Sequence, residues 1–316
     1  MRRSRVTGIG GVSAAALVAV TGCGETPIPQ ARYTPEQLNS SAVPNLADDG
    51  VQSAPRVEEL PPPAPPPAPP APARVRVIHA SPDRAAASVD VYLGDVATPA
   101  VSALAYKAIA GAVDAPAGAA HRVSLQRAGV AASAARVASA QTPEVESGAQ
   151  YTAIAFGLAT GAPALGVAVG RDETAEPEAG QARARFFHAL VGLGAVDLCT
   201  AATPAVAARA GQAARPAQPP RAVFENVAFG TFSSGYAAVP AGAPVALQVR
   251  LRASASARAC AGLVRGAVTL TPGDRAVVTA VAVGRAVGAP AVSRELLVCP
   301  DRVAEGAPTC ATVAIR

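Results

Sequence analysis

From residue 74 onward, short runs alternate apolar and polar positions with a period of two. Val75 and Val77 alternate with Arg74 and Arg76, so the valines share one face of a strand and the arginines the other. Val89, Val91 and Leu93 alternate with Asp90 and Tyr92, and Val123 and Leu125 with Arg122, Ser124 and Gln126. The pattern returns late in the chain, where Val245, Leu247, Val249 and Leu251 alternate with Ala246, Gln248, Arg250 and Arg252. Turn formers divide these runs: Ser81-Pro82-Asp83, Pro116-Ala117-Gly118, Ala128-Gly129 and Thr271-Pro272-Gly273-Asp274. Short strands separated this way predict antiparallel β-sandwiches. The alanines of 131–140 read as loop and strand rather than helix, because Gly129 and Pro143 bracket them.

An internal repeat sets the domain plan. Arg74-Val75-Arg76-Val77-Ile78-His79-Ala80 returns as Arg183-Ala184-Arg185-Phe186-Phe187-His188-Ala189. Val89-Asp90-Val91-Tyr92 returns as Val196-Asp197-Leu198-Cys199, Pro116-Ala117-Gly118-Ala119 as Pro240-Ala241-Gly242-Ala243, and Ala153-Ile154-Ala155-Phe156-Gly157 as Ala280-Val281-Ala282-Val283-Gly284. Two sandwiches are therefore expected, at 74–171 and 182–316, joined by a polar linker that carries Asp172, Glu173, Glu176 and Pro177. Each is expected to fold alone.

The region before the repeats reads differently. Residues 24–73 lack periodicity and are rich in Pro and polar residues, the signature of a disordered tether. Nine of the twelve residues from Pro61 to Pro72 are Pro, which favours a polyproline II stalk of about 37 Å. Arg2, Arg3 and Arg5 precede an apolar stretch from Val6 to Val20, too short for a permanent membrane span. This reads as a signal peptide over 1–22. Its last residues, Val20-Thr21-Gly22-Cys23, resemble the bacterial lipobox, which implies lipidation of Cys23. Gly24 stands where Asp would mark inner-membrane retention, so the expected location is the bacterial cell envelope, lipid-anchored at the outer membrane. Gly8-Ile9-Gly10-Gly11 lies within the signal sequence and is no phosphate loop.

The residues quoted for the first repeat, above all His79-Ala80-Ser81-Pro82-Asp83 followed by Val89-Asp90-Val91-Tyr92 and Pro116-Ala117-Gly118, resemble domain of unknown function 4397. The resemblance covers about 74–170 well and about 182–297 more loosely, since the second copy lacks the Ser-Pro-Asp turn and has Cys199 in place of Tyr92. It implies an Ig-like or transthyretin-like sandwich in a secreted or surface-anchored bacterial protein, often in tandem. It supplies no catalytic residues.

Composition narrows the chemistry. Half the residues are hydrophobic, but only 3% are aromatic, and there is no Trp. All basic residues but Lys107 are Arg, and the net charge of +5 is mild for 316 residues. Without aromatic residues interleaved among the basic ones, nucleic-acid binding is not expected. Arg74, Arg76, Arg122, Arg127, Arg250, Arg252 and Arg258 are expected on solvated strand faces, with attraction to anionic envelope polymers or phospholipid head groups as the sharper reading. Cys199, Cys260, Cys299 and Cys310 are expected as disulfides in an exported chain, with Cys199–Cys260 and Cys299–Cys310 favoured among three pairings. No pair has zinc-knuckle spacing, and no metal or cofactor is expected. His79 and His188, with Asp83, Asp90 and Asp197, are repeat-motif residues read as structural, Asp83 through a side-chain bond to a turn backbone. The second copy keeps His188 but no matching Ser, so a nucleophilic triad has no basis. The expected function is a non-enzymatic surface binding or structural module that meets the membrane through its lipid and an envelope polysaccharide or protein as partner. The alternative is a carrier holding a small molecule between the two sandwiches.

Overall fold

The computed structural model describes residues 68–131, 133–208, 213–286, 292–302 and 308–316. The signal sequence, Cys23 and most of the Pro-rich stretch lie outside the described residues. The first repeat forms β1 (Ala73–His79), β2 (Ser88–Leu93), β3 (Val101–Ala105), β4 (Ile109–Ala115), β5 (Ala120–Arg127), β6 (Ala138–Glu144), β7 (Gln150–Phe156) and β8 (Gly166–Arg171). The second forms β9 (Gln181–His188), β10 (Val196–Thr200), β11 (Ala222–Val227), β12 (Ala237–Pro240), β13 (Val245–Leu251), β14 (Val264–Leu270), β15 (Val277–Val283), β16 (Glu295–Pro300) and β17 (Ala311–Ala314).

Each repeat is a two-sheet sandwich. In the first, a sheet ordered β4-β1-β7-β8 faces one ordered β3-β2-β5-β6. In the second, β12-β9-β15-β16-β17 faces β11-β10-β13-β14. The alternation read from the sequence fills these cores. Val75, Val77, Val89, Val91, Val123 and Leu125 are buried together in the first, and Leu198, Leu247 and Val249 in the second. The sheets are not wholly antiparallel as expected: β1 pairs with β7 in parallel, and β9 with β15 likewise. The registers match across the repeats, with Arg76 opposite Thr152 and Arg185 opposite Thr279.

The other face of β1 corrects a second expectation. Arg76 and Ile78 do not face solvent. A third apolar cluster joins Ile78 and Ile154 of the first sandwich to Phe187, Val281, Val283 and Leu297 of the second. The sheet containing β1 and β7 packs on the sheet containing β9 and β15, so these strands are buried on both faces. Their sequences carry the sign: Ala153–Phe156 and Ala280–Val283 are unbroken apolar runs, which two-sided burial requires. Phe156 meets Phe187 edge-on at 5.5 Å between ring centroids, and Phe187 meets Phe232 at 4.8 Å. Residues 66–316 accordingly form one compact unit. A repeat cut out alone bares this face, which the expectation of independent folding did not include.

Candidate functional site

The motif histidines sit where β1 and β9 end. His79 is fully buried. Its Nε2–H donates to the Ala86 carbonyl at 2.7 Å, and Nδ1 accepts the Ser81 N–H at 3.4 Å. His188 repeats the pattern with the Gly194 carbonyl at 2.9 Å and the Leu190 N–H at 3.3 Å. One neutral tautomer, protonated on Nε2, satisfies both bonds in each case. A general base needs a free ring nitrogen facing substrate, and neither ring offers one. The Ser81 hydroxyl donates to the Gly157 carbonyl at 2.7 Å rather than to the imidazole. Gly157 cannot be replaced, because its φ is +85° and a Cβ would lie 2.2 Å from the Ala164 carbonyl oxygen.

Burial lowers the pKa of both histidines against the opposing pull of their carbonyl bonds, that of His188 to about 4. The unfolded value is near 6.5, so the folded state binds the proton less well. Stability is therefore full above about pH 6.5 and falls as the pH drops toward 4. Urea titrations of wild type and His188→Asn should diverge over that window. The His188 contribution should lose about 2–3 kcal/mol between pH 6.5 and 4.5, and parallel pH profiles would contradict the buried neutral imidazole.

Asp83 caps the short 3-10 turn of Arg84–Ala86: its Oδ1 accepts the Ala85 N–H at 3.0 Å. Oδ2 accepts the Thr160 N–H at 2.9 Å and the Thr160 hydroxyl at 3.1 Å. Burial would raise this carboxyl, but these donors outweigh it and hold the pKa below the ordinary carboxylate range.

Asp90 and Asp197 share a role the sequence did not reveal. Asp90 Oδ1 accepts the Ala103 N–H at 2.7 Å, and Asp197 Oδ1 accepts the Asn226 N–H at 2.8 Å. Ala103 and Asn226 adopt φ of 51° and 49°, and at both places the register with the neighbouring edge strand shifts. Each carboxylate therefore pins a bulge in the strand beside it, β3 or β11. Asp197 also binds Arg252 at 2.9 Å and the Cys260 N–H at 3.0 Å. Burial pushes its pKa up, and these three partners more than reverse the effect.

The buried polar groups between the sandwiches form the molecule's densest charged cluster among the described residues, arranged with approximate two-fold symmetry. Arg76 Nε donates to the Thr152 hydroxyl at 2.7 Å, and Arg185 Nε to the Thr279 hydroxyl at 2.8 Å. Those hydroxyls donate to Asp172 and Asp301, each at 2.6 Å. The guanidiniums then cross over: Arg76 reaches Asp301 and the Pro300 carbonyl of the second repeat, and Arg185 reaches Asp172 and the Arg171 carbonyl of the first. Asp172 Oδ2 lies 3.1 Å from Arg76 Nε. Tyr236, kept protonated by burial, donates its hydroxyl to Asp301, and Arg185 lies 4.5 Å over the Phe232 ring. Two cations and two carboxylates thus lock one sandwich to the other. The middle of the seam is filled by these side chains and the Phe cluster, and at its end an open cleft of about 540 Å³ lies between Gln150 and Thr174 on one side and Arg275, Val277, Pro300 and Arg302 on the other.

Of the arginines expected in solvent, Arg74, Arg122, Arg127 and Arg258 are exposed. Arg76 is buried in the seam and Arg252 against Asp197. Arg250 is half-buried, bonding the Gln248 side chain and the Cys260 and Gly262 carbonyls. The cysteines pair as Cys199–Cys260 and Cys299–Cys310. No cluster of three or more His, Cys, Asp or Glu side chains among the described residues could hold a metal ion. No helix among them is long and apolar enough to cross a membrane.

Fold and motif together define the class: a tandem β-sandwich protein in which a strand-end His and a bulge-pinning Asp recur in both repeats. The chain carries a domain of the family described as Domain of unknown function (DUF4397), whose sequence model matches residues 73–199. The match runs through the first sandwich and on to β10 of the second, so it includes His79, Asp90, His188 and Asp197. No curated protein matches the chain.

Proposed function

We propose that the chain is a lipid-anchored cell-envelope protein whose paired sandwiches act as a non-enzymatic surface binding or structural module. The observation that carries this reading is that the recurring polar motif residues spend their bonds on the fold. His79, Asp83, Asp90, His188 and Asp197 each bond neighbouring backbone. The two disulfides fit an oxidising compartment outside the cytoplasm. Cys23 at the end of an apolar leader supplies the anchor, and the Pro-rich stretch the spacer. Outer-membrane placement follows from Gly24 after the lipidated Cys. The partner is an envelope polysaccharide or protein.

Cys23→Ser should move the full-length protein from the membrane fraction to the soluble or uncleaved precursor pool. A clickable fatty acid should label wild type alone, and equal labelling of the variant would remove the anchor from the account. Capture from isolated envelopes with the full chain then tests the partner.

A further inference from the structure

The second sandwich encloses a cavity of about 240 Å³ between its two sheets. Beside Val75, Val91 and Val123 of the first sandwich the gap is only about 10 Å³. The strand registers explain the difference. With Arg76 and Arg185 equivalent, Val75 corresponds to Ala184, and their parallel partners Tyr151 and Val278 correspond in turn. Tyr151 is buried in the first core, and its hydroxyl accepts the Glu146 N–H at 3.1 Å. In the second repeat both substituted positions, Ala184 and Val278, line the cavity. The two methyl groups lost at Ala184 are regained at Val278, so the net loss is one phenol ring. Phe186, larger than the equivalent Val77, does not restore the volume because it stacks on Phe224.

The lining holds no charged side chain. It is made of aliphatic residues such as Leu247, Leu296 and Val298, with the Phe224 ring. Exposed Thr271 and Gly273, in the turn between β14 and β15, mark its open end. An apolar cavity of about 150 Å³ already stays dry and takes up benzene, and drug-sized ligand pockets begin near 300 Å³. The geometry points to the second sandwich as a receptor for a small uncharged apolar molecule, the size of a substituted single aromatic ring. This goes beyond the envelope reading and holds whether or not Cys23 carries lipid.

Toluene titrated into the full chain, followed by ¹³C-methyl spectra of Leu and Val, tests it. Saturable shifts should appear at Leu247, Val278 and Leu296 while Val123 and Leu125 of the first core stay fixed. Val278→Tyr copies the first repeat's own filling. Gly273 precedes position 278 by five residues, as Glu146 precedes Tyr151, so a backbone N–H stands where the new hydroxyl needs one. This variant should weaken toluene binding at least tenfold and raise the thermal midpoint by several degrees. Should Val278→Tyr fail to fold, Ala184→Val, with the residue of the first repeat, should weaken binding several-fold. Absence of saturable shifts up to the solubility limit of toluene would overturn the proposal, as would unchanged binding in the folded variant. Shifts produced by phosphatidylglycerol vesicles and not by toluene would assign the cavity to a lipid acyl chain and overturn the free ligand.

Discussion

Arg76→Ala should destabilise the chain by about 3–5 kcal/mol. Arg74→Ala, two residues earlier on the same strand face, should change stability by less than about 0.5 kcal/mol. Sequence pattern treats the two arginines alike, and packing separates them. Arg74 is exposed, whereas only 3% of the Arg76 side chain is accessible. Removing the Arg76 guanidinium takes a cation from Asp301 and from Asp172, and leaves the Pro300 carbonyl without its donor. Desolvated carboxylates stripped of a partner carry the cost, since the intact pair is itself near balance against its own desolvation. Urea denaturation of the two variants gives the comparison directly. Equal, small effects would mean that the cross-over contacts contribute nothing.

Loss of the Cys199–Cys260 bridge should lower stability by up to about 4 kcal/mol, and loss of Cys299–Cys310 by up to about 3 kcal/mol. The first closes a span of 61 residues and the second one of 11, so the denatured chain gains more freedom when the first is cut. The longer bridge also fixes the Cys260 backbone, whose N–H reaches Asp197, the carboxylate that pins the β11 bulge. Its removal therefore loosens a folded-state contact as well. Thermal midpoints of Cys199→Ser/Cys260→Ser and of Cys299→Ser/Cys310→Ser, read against wild type, should fall in that order. Non-reducing peptide maps should contain both bridged peptides. A Cys199–Cys299 peptide, or four free thiols in protein purified from envelopes, would contradict the pairing.

The legible features were those with local causes. Alternation placed Val75 and Val77 in a core, turn formers marked the strand ends, and repeated residues placed the second copy on the first. The cysteine pairing is the one favoured from the sequence, although position in one repeat leaves three pairings open. What stayed hidden depended on what lies across a face. Nothing near Arg76 in sequence distinguishes it from Arg74, since its partners Asp301 and Pro300 are more than two hundred residues away. Asp172 was equally opaque, since it stands in what reads as a polar linker. The available sign was the unbroken apolar run of Ala153–Phe156 and Ala280–Val283, too long for strands with one wet face. The bulge at Ala103 had no sign, because neither Ala nor its neighbours announce a left-handed backbone, whereas Asn226 is of a residue type that favours one. The cavity, by contrast, follows from reading one repeat against the other once the register aligns Tyr151 with Val278.

The buried cross-over of Arg76, Arg185, Asp172 and Asp301, with the Ile and Phe cluster around it, makes two sandwiches into one cooperative body. Differential scanning calorimetry of the full chain, wild type beside Arg76→Ala, tests it most directly. Wild type should show a single transition, with calorimetric and van't Hoff enthalpies equal, and the variant a lower midpoint with both sandwiches melting together or newly separated. Two resolved transitions already present in wild type, neither displaced by Arg76→Ala, would contradict it.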